Sequence, residues 1–181
     1  MNQLVIDILN QLSFLKQAND SRIKYDISQN LQNTLSCIQL TEKLTLSIAL
    51  AISINEKNLP LQNIFKNYAK SHILSNEDII DIHSFVSMMN MNNTLYKFKH
   101  FIENDIYKQK PSGLKMTSKA KPSIGKKTFE IIALCVSIVN NCQVCTIHHE
   151  EKCREMEFTT DEIYAAVQLT STIKSISMLE F

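Results

Sequence analysis

The chain has 181 residues, with 19 Lys plus Arg against 18 Asp plus Glu and a formal charge of +1, so no overall field draws it to nucleic acid or to an anionic membrane surface. That length supports a single domain with a substantial core. Two glycines and three prolines exclude the glycine-rich phosphate loops of nucleotide-binding proteins, and five cysteines, odd in number and unevenly spaced, do not make the framework of a secreted mini-protein.

The first residues, MNQLVIDILNQLSFLK, lack a basic leader and carry Asp7 and Asn10 where an export signal would be apolar. No run approaches the roughly eighteen apolar residues of a membrane-spanning helix, so a soluble, cytoplasmic protein is expected. Leu4, Val5, Ile8, Leu12 and Leu15 recur at helical spacing, and Leu31, Leu35 and Ile38 do the same. Segments 43–54, 60–71, 76–90, 93–107, 128–139, 142–155 and 160–179 also read as helices, while alternating strand patterns are scarce. The fold class is all-α.

Residues 108–127, KQKPSGLKMTSKAKPSIGKK, hold both glycines, two of the three prolines and seven lysines without an acid. This reads as an exposed connection, within one domain of residues 1–181, between an N-terminal helical unit 1–107 and a C-terminal unit 128–181. Its clustered charge also fits a docking strip for an acidic partner.

A shift of 84 positions lays KLTLSIALAISI at 43–54 on KTFEIIALCVSI at 127–138, and SNEDII at 75–80 on TTDEIY at 159–164, without a gap. Each copy runs from an apolar helix through a second helix to Ser75 or Thr159, with Asp78 or Glu162 three residues later in the pattern of a capping box. An internal repeat of two helical units is expected. Under it, Glu130 falls on Leu46, Cys142 on Asn58, Cys145 on Leu61 and His149 on Phe65, so packing alone does not demand those four residues.

Residues 140–153, NNCQVCTIHHEEKC, concentrate three of the five cysteines and two of the five histidines. A Cys-x-x-Cys pair serves as a disulfide switch, as half of a metal site, or as two buried residues without chemistry. The capping residues Asn140 and Asn141 put Cys142 at a helix start, with Cys145 one turn on and His149 along the same stripe. Helical positions three apart have Cα atoms roughly 5 Å from one another, inside the ~4.4 to 6.8 Å range of disulfides. A helix N-terminus and a nearby imidazolium both lower a thiol pKa. Glu130, on the preceding helix, can return against His149 in a helical hairpin and orient the imidazole for proton relay. Zinc-type ligands are present as Cys142, Cys145, His149 and Cys153, but on one helix the outer two would lie roughly 16 Å apart at ~1.5 Å per residue, so no metal site is expected.

Cys37 and Cys135 lie among apolar neighbours and read as core, as do Met88, Met89 and Met91 and the aromatic residues Phe85, Tyr96 and Phe98. His148 projects about 100° around the helix from His149 and reads as a surface residue.

Glu130, then Cys142-x-x-Cys145, then His149 resembles the active-site pattern of the alkylhydroperoxidase D (AhpD) family. MNMNNTLYKFKHFIENDIY at 89–107, PSGLKM at 111–116 and DEIYAAVQL at 161–169 resemble family segments outside the site. The resemblance implies an all-helical fold with an internal repeat, assembled as a homotrimer. It implies a thiol peroxidase for hydroperoxides that holds no bound cofactor and passes electrons from the lipoyl group of a lipoylated protein to a partner peroxiredoxin. On this pattern Cys145 is oxidised to a sulfenic acid, Cys142 is the more accessible partner in disulfide exchange, and Glu130 and His149 relay protons. Where well-known relatives have a histidine directly before the second cysteine, this chain has Val144. The fold also resembles carboxymuconolactone decarboxylases, which leaves a non-redox protein on the same scaffold as the alternative.

Overall fold

A computed structural model describes residues 2–13, 15, 21–102, 104–117 and 121–179. These residues form helices α1 (Asn2–Gln11), α2 (Ser21–Leu35), α3 (Glu42–Asn55), α4 (Leu59–His72), α5 (Asn76–Ile102), α6 (Asp105–Lys108), α7 (Lys126–Val139), α8 (Gln143–Glu155) and α9 (Thr160–Ser177), with no strand among them. The all-α expectation is met.

The two most apolar helices sit at the centre. Thr45 to Ser53 of α3 and Phe129 to Ser137 of α7, apart from Glu130, are buried all round, as helices lacking a polar face must be. They pack on each other; α5 and α9 lie against both, α4 covers α3 and α8 covers α7. α2 packs on α9, and α1 on α2 and α4. One continuous apolar core runs from Leu4 to Ile176. Within it Phe85 meets Phe129 edge to face at 4.7 Å.

Helix starts are set locally. Thr159 Oγ1 accepts from the Glu162 N–H while the Glu162 carboxylate accepts from the Thr159 N–H, and Ser75 and Asp78 make the same reciprocal pair, so both capping boxes form. Gly125, at φ 93°, caps α7 in a conformation that side chains resist.

Helices start at Glu42, Leu59 and Asn76, and again 84 positions on at Lys126, Gln143 and Thr160. The turns between them share a register too. Lys57 and Asn141 both have positive φ, and each turn closes with two hydrogen bonds, Asn58 N–H to Ser53 O and Lys57 N–H to Ile54 O in one, Cys142 N–H to Ser137 O and Asn141 N–H to Ile138 O in the other. Both have the form of a Schellman helix end that leads straight into the next helix.

Some boundaries differ from the expected ones. Segments 76–90 and 93–107 are not two helices: α5 runs unbroken to Ile102, because Met91 and Asn92 introduce no breaker, and only α6 follows. α2 stops at Leu35, so Ile38 leaves the helical stripe and stands 93% exposed in the turn before α3. α7 begins at Lys126, inside the expected connection. Cys135 is core, whereas Cys37 is only half-buried and donates its thiol to Gln39. Phe98 is substantially exposed rather than packed inside; with Phe101, Ile102, Ile106 and Tyr107 it leaves an apolar surface at the end of α5 and on α6.

Candidate active site

The site is built on the hairpin of α7 and α8. Because α7 ends in the Asn140–Asn141 turn, the chain reverses and α8 runs back along α7. Residues a few turns from the hairpin on each arm therefore face one another. Glu130 and His149 meet in this way, with His149 Nδ1 2.7 Å from Glu130 Oε2. Both side chains are largely buried, at 9% exposure for His149 and 14% for Glu130. With a carboxylate as acceptor, Nδ1 holds the hydrogen of the neutral ring, so Nε2 is the basic nitrogen. Phe129 fixes the ring from the side, edge to face at 6.2 Å.

Cys142 is the N-cap residue of α8 and Cys145 lies one turn on; they form a disulfide with Cα atoms 5.3 Å apart, as the helical spacing requires. The expectation that Cys142 is the more exposed is corrected. Cys142 is 1% exposed and Cys145 6%. Polar neighbours at Asn140, Asn141 and Gln143 speak for those side chains, while the turn itself folds Cys142 under, its N–H bound to Ser137 O at 3.0 Å.

Cys145 and His149 open onto a cavity of about 260 Å³, lined also by Met89, Asn92, Tyr96, Met116, Val144 and His148. Met116 comes from the loop after α6, where Asn92 Nδ2 donates to its sulfur. Met89 is fully buried in the core and His148 exposed, as the sequence leads one to expect, while Tyr96 is half-buried; all three also border the cavity. The signal that finds them is the two family-like segments at 89–107 and 111–116, which supply Met89, Asn92, Tyr96 and Met116.

A ladder of asparagines holds the hairpin turn to the rest of the fold. Asn140 donates to Asn93 at 2.9 Å and accepts from Asn55 at 3.1 Å; Asn90 donates to Asn55 at 2.8 Å, and buried Asn93 donates to Ser137 Oγ at 3.2 Å. Asparagines at 55, 90, 93 and 140 share no local pattern, so nothing in the sequence announces this.

The positions 84 residues earlier carry none of these groups. Leu46, Leu61 and Phe65, 84 positions before Glu130, Cys145 and His149, are fully buried and apolar. Asn58, matching Cys142, caps α4 by accepting the Leu61 N–H at 3.0 Å. Burial pushes the thiols of Cys135 and Cys153 up to about 12, which leaves them protonated and inert at neutral pH. Among the described residues, no group of three or more His, Cys, Asp or Glu side chains is arranged to hold a metal ion, and no helix is long and apolar enough to cross a membrane.

Residues 108–174 match the carboxymuconolactone decarboxylase family. A protein of Solibacter usitatus named alkyl hydroperoxide reductase AhpD is 30% identical over 154 residues, 85% of this chain and 86% of that protein. Proteins of the same name from Corynebacterium kroppenstedtii, 31% identical over 84% of this chain and 86% of theirs, and from Maricaulis maris, 35% identical over 58% and 60%, also match. Likeness to the Solibacter and Corynebacterium proteins thus extends over most of the fold and includes the α7–α8 hairpin. The chain belongs to the AhpD family, within the carboxymuconolactone decarboxylase superfamily.

Proposed function

We propose that this protein is an antioxidant thiol peroxidase, an alkyl hydroperoxide reductase, working through Cys142, Cys145, Glu130 and His149. The observation that carries the reading is the 2.7 Å contact of Glu130 with His149 beside a disulfide whose Cys145 opens onto the same cavity. In the reduced protein His149 Nε2 takes the Cys145 proton, and the thiolate attacks the outer oxygen of the hydroperoxide. The O–O bond breaks, the alkoxide receives the proton from His149 and leaves as alcohol, and Cys145 becomes a sulfenic acid. Cys142 then attacks that sulfur, water departs, and the disulfide forms. Glu130 keeps the imidazole in the required tautomer and stabilises its charged form.

Two electrons from a dithiol restore the pair. A lipoyl group on a partner protein is the donor we favour, and a peroxiredoxin a second acceptor, with the lysines of the 108–127 connection as its docking strip. Residues 118–120 of that strip lie outside the described ones. The exposed apolar end of α5 supports self-assembly, as the homotrimer we expect, in the cytoplasm. The division into related units 1–107 and 128–181 belongs to the same proposal and is supported by the common register of helix starts. A non-redox, decarboxylase-like role is the second reading and draws on the match over 108–174.

Hydroperoxide consumption with dihydrolipoamide as reductant tests this. Turnover that Cys145→Ser abolishes is expected. Consumption at the protein-free rate would overturn the proposal.

A further inference from the structure

With Cys142 and Cys145 joined as a disulfide, no thiol remains among the residues lining the cavity, but a thioether that peroxides oxidise does. We infer that Met116 is a modification site: a hydroperoxide held in the cavity of the oxidised protein transfers oxygen to the Met116 sulfur, and the sulfoxide weakens binding of the next apolar hydroperoxide. This rests on the reading above that the cavity receives hydroperoxides.

Placement is the first reason. Met116 lines the cavity together with Cys145, so a hydroperoxide directed at one sulfur lies beside the other. The residue belongs to the connection between α6 and α7 and is partly buried, its side chain packed against the core. Met89 borders the same cavity but is 0% exposed, while Met178 does not line it and is 72% exposed. An oxidant acting from bulk solvent takes Met178 first, whereas one held in the cavity takes Met116. The two routes give opposite orders.

The second reason is Asn92, whose Nδ2 donates to the Met116 sulfur from α5. A thioether is a weak acceptor. A sulfoxide oxygen is a stronger one, so a donor already stands where the oxidised side chain gains from it. The same contact fixes the sulfur on the cavity wall, and the sulfur lone pair that Asn92 leaves unused is available for attack.

The step balances without a further reagent. The Met116 sulfur attacks the outer oxygen of the hydroperoxide, the O–O bond breaks, and its electron pair stays on the alkoxide. The proton of the outer oxygen passes to that alkoxide, so the products are an alcohol and the sulfoxide. The sulfur is oxidised and the peroxide reduced. While the cysteine pair is reduced, the Cys145 thiolate is the stronger nucleophile and reacts first. Met116 is reached when the dithiol is spent. Its oxidation replaces a flexible apolar side chain by a polar one, and methionine sulfoxide reductases reverse it. Carbon chains of substrates then lose an apolar contact beside Val144.

Oxidised wild-type protein, treated with excess cumene hydroperoxide without reductant and digested for mass spectrometry, tests this. Oxygen on Met116 at early times, at least about threefold over that on Met178, is expected. Equal or greater oxidation of Met178 overturns the inference. As a second measurement, cumyl alcohol, the stable product, should bind the Met116 sulfoxide form at least about threefold more weakly than untreated oxidised protein; equal affinity overturns it too. Hydroperoxide consumption with dihydrolipoamide, measured in parallel on untreated wild type, separates the two proposals. Met116 oxidised ahead of Met178 without consumption sinks the peroxidase reading alone, and consumption with Met178 oxidised first sinks this inference alone.

Discussion

Glu130 and His149 lie 2.7 Å apart across the α7–α8 hairpin, at the positions where the first half of the chain buries Leu46 and Phe65. Those two positions are fully buried and apolar, so helices in the same register are built there without an ionisable pair. Buried pairs of this kind are often replaced by apolar residues without loss of stability, whereas removing one partner is costly.

Glu130→Gln, whose side-chain oxygen can still accept from His149 Nδ1, should keep the fold and lower peroxide turnover by about 10²- to 10⁴-fold, the usual weight of acid–base assistance. The double variant Glu130→Leu with His149→Phe, which copies the first half, should melt no lower than the wild type and show no turnover. Circular dichroism melts and a peroxide assay check both; wild-type turnover in Glu130→Gln would remove the carboxylate from the site.

The asparagine ladder gives a stability prediction. Asn140→Ala removes the donor to Asn93, whose side chain is 1% exposed and has little water to turn to. A buried group left unpaired in this way costs about 1–3 kcal/mol. Urea denaturation should show a loss of that size.

The helices that carry the site were legible because each signal was local: apolar periodicity in α3 and α7, Ser75 with Asp78 and Thr159 with Glu162 at helix starts, and Cys142, Cys145 and His149 at helical spacing. Glu130 was legible from the hairpin and the unmatched repeat position together. What escaped depends on contacts between distant segments. Met116 and Asn92 reach the cavity from the connection and from α5, and the ladder joins three helices. The burial of Cys142 comes from a turn whose side chains are themselves polar. Ile38 misled because a periodic stripe carries no sign that the helix stops three residues earlier.

The unused thiols make a further prediction. Cys135 and Cys153 are held protonated by burial, at about 12, and return to an ordinary thiol value near 8.5 on unfolding. Because the folded value is the higher, the stability they contribute is complete below the unfolded value and is lost as pH rises towards 12. In native reduced protein at neutral pH, maleimide should label half-buried Cys37 and spare both. The alkaline loss of stability, followed by denaturant midpoint between pH 8 and pH 10.5, should be shallower in Cys135→Ala with Cys153→Ala than in the wild type.

Thr159→Ala tests the start of α9. It removes the oxygen that accepts the Glu162 N–H, and losing such a cap costs about 1 kcal/mol. The Thr159 N–H holds the Glu162 carboxyl below its usual range. Its contribution is thus present above the ordinary carboxylate pKa and lost as pH falls through the lowered one. Thermal melts at pH 7 and pH 3 of the wild type and of Glu162→Ala should converge at the lower pH; an undiminished gap would place the effect elsewhere.

On the proposed mechanism, Cys142 and Cys145 cycle between dithiol and disulfide at the expense of a hydroperoxide. Fully reduced protein treated with one equivalent of cumene hydroperoxide, then denatured and titrated for thiols, tests it most directly. Loss of two thiols per chain, with mass spectrometry placing the new disulfide between Cys142 and Cys145, is the predicted result. Retention of the full thiol count, or oxidation confined to Cys37, would contradict it.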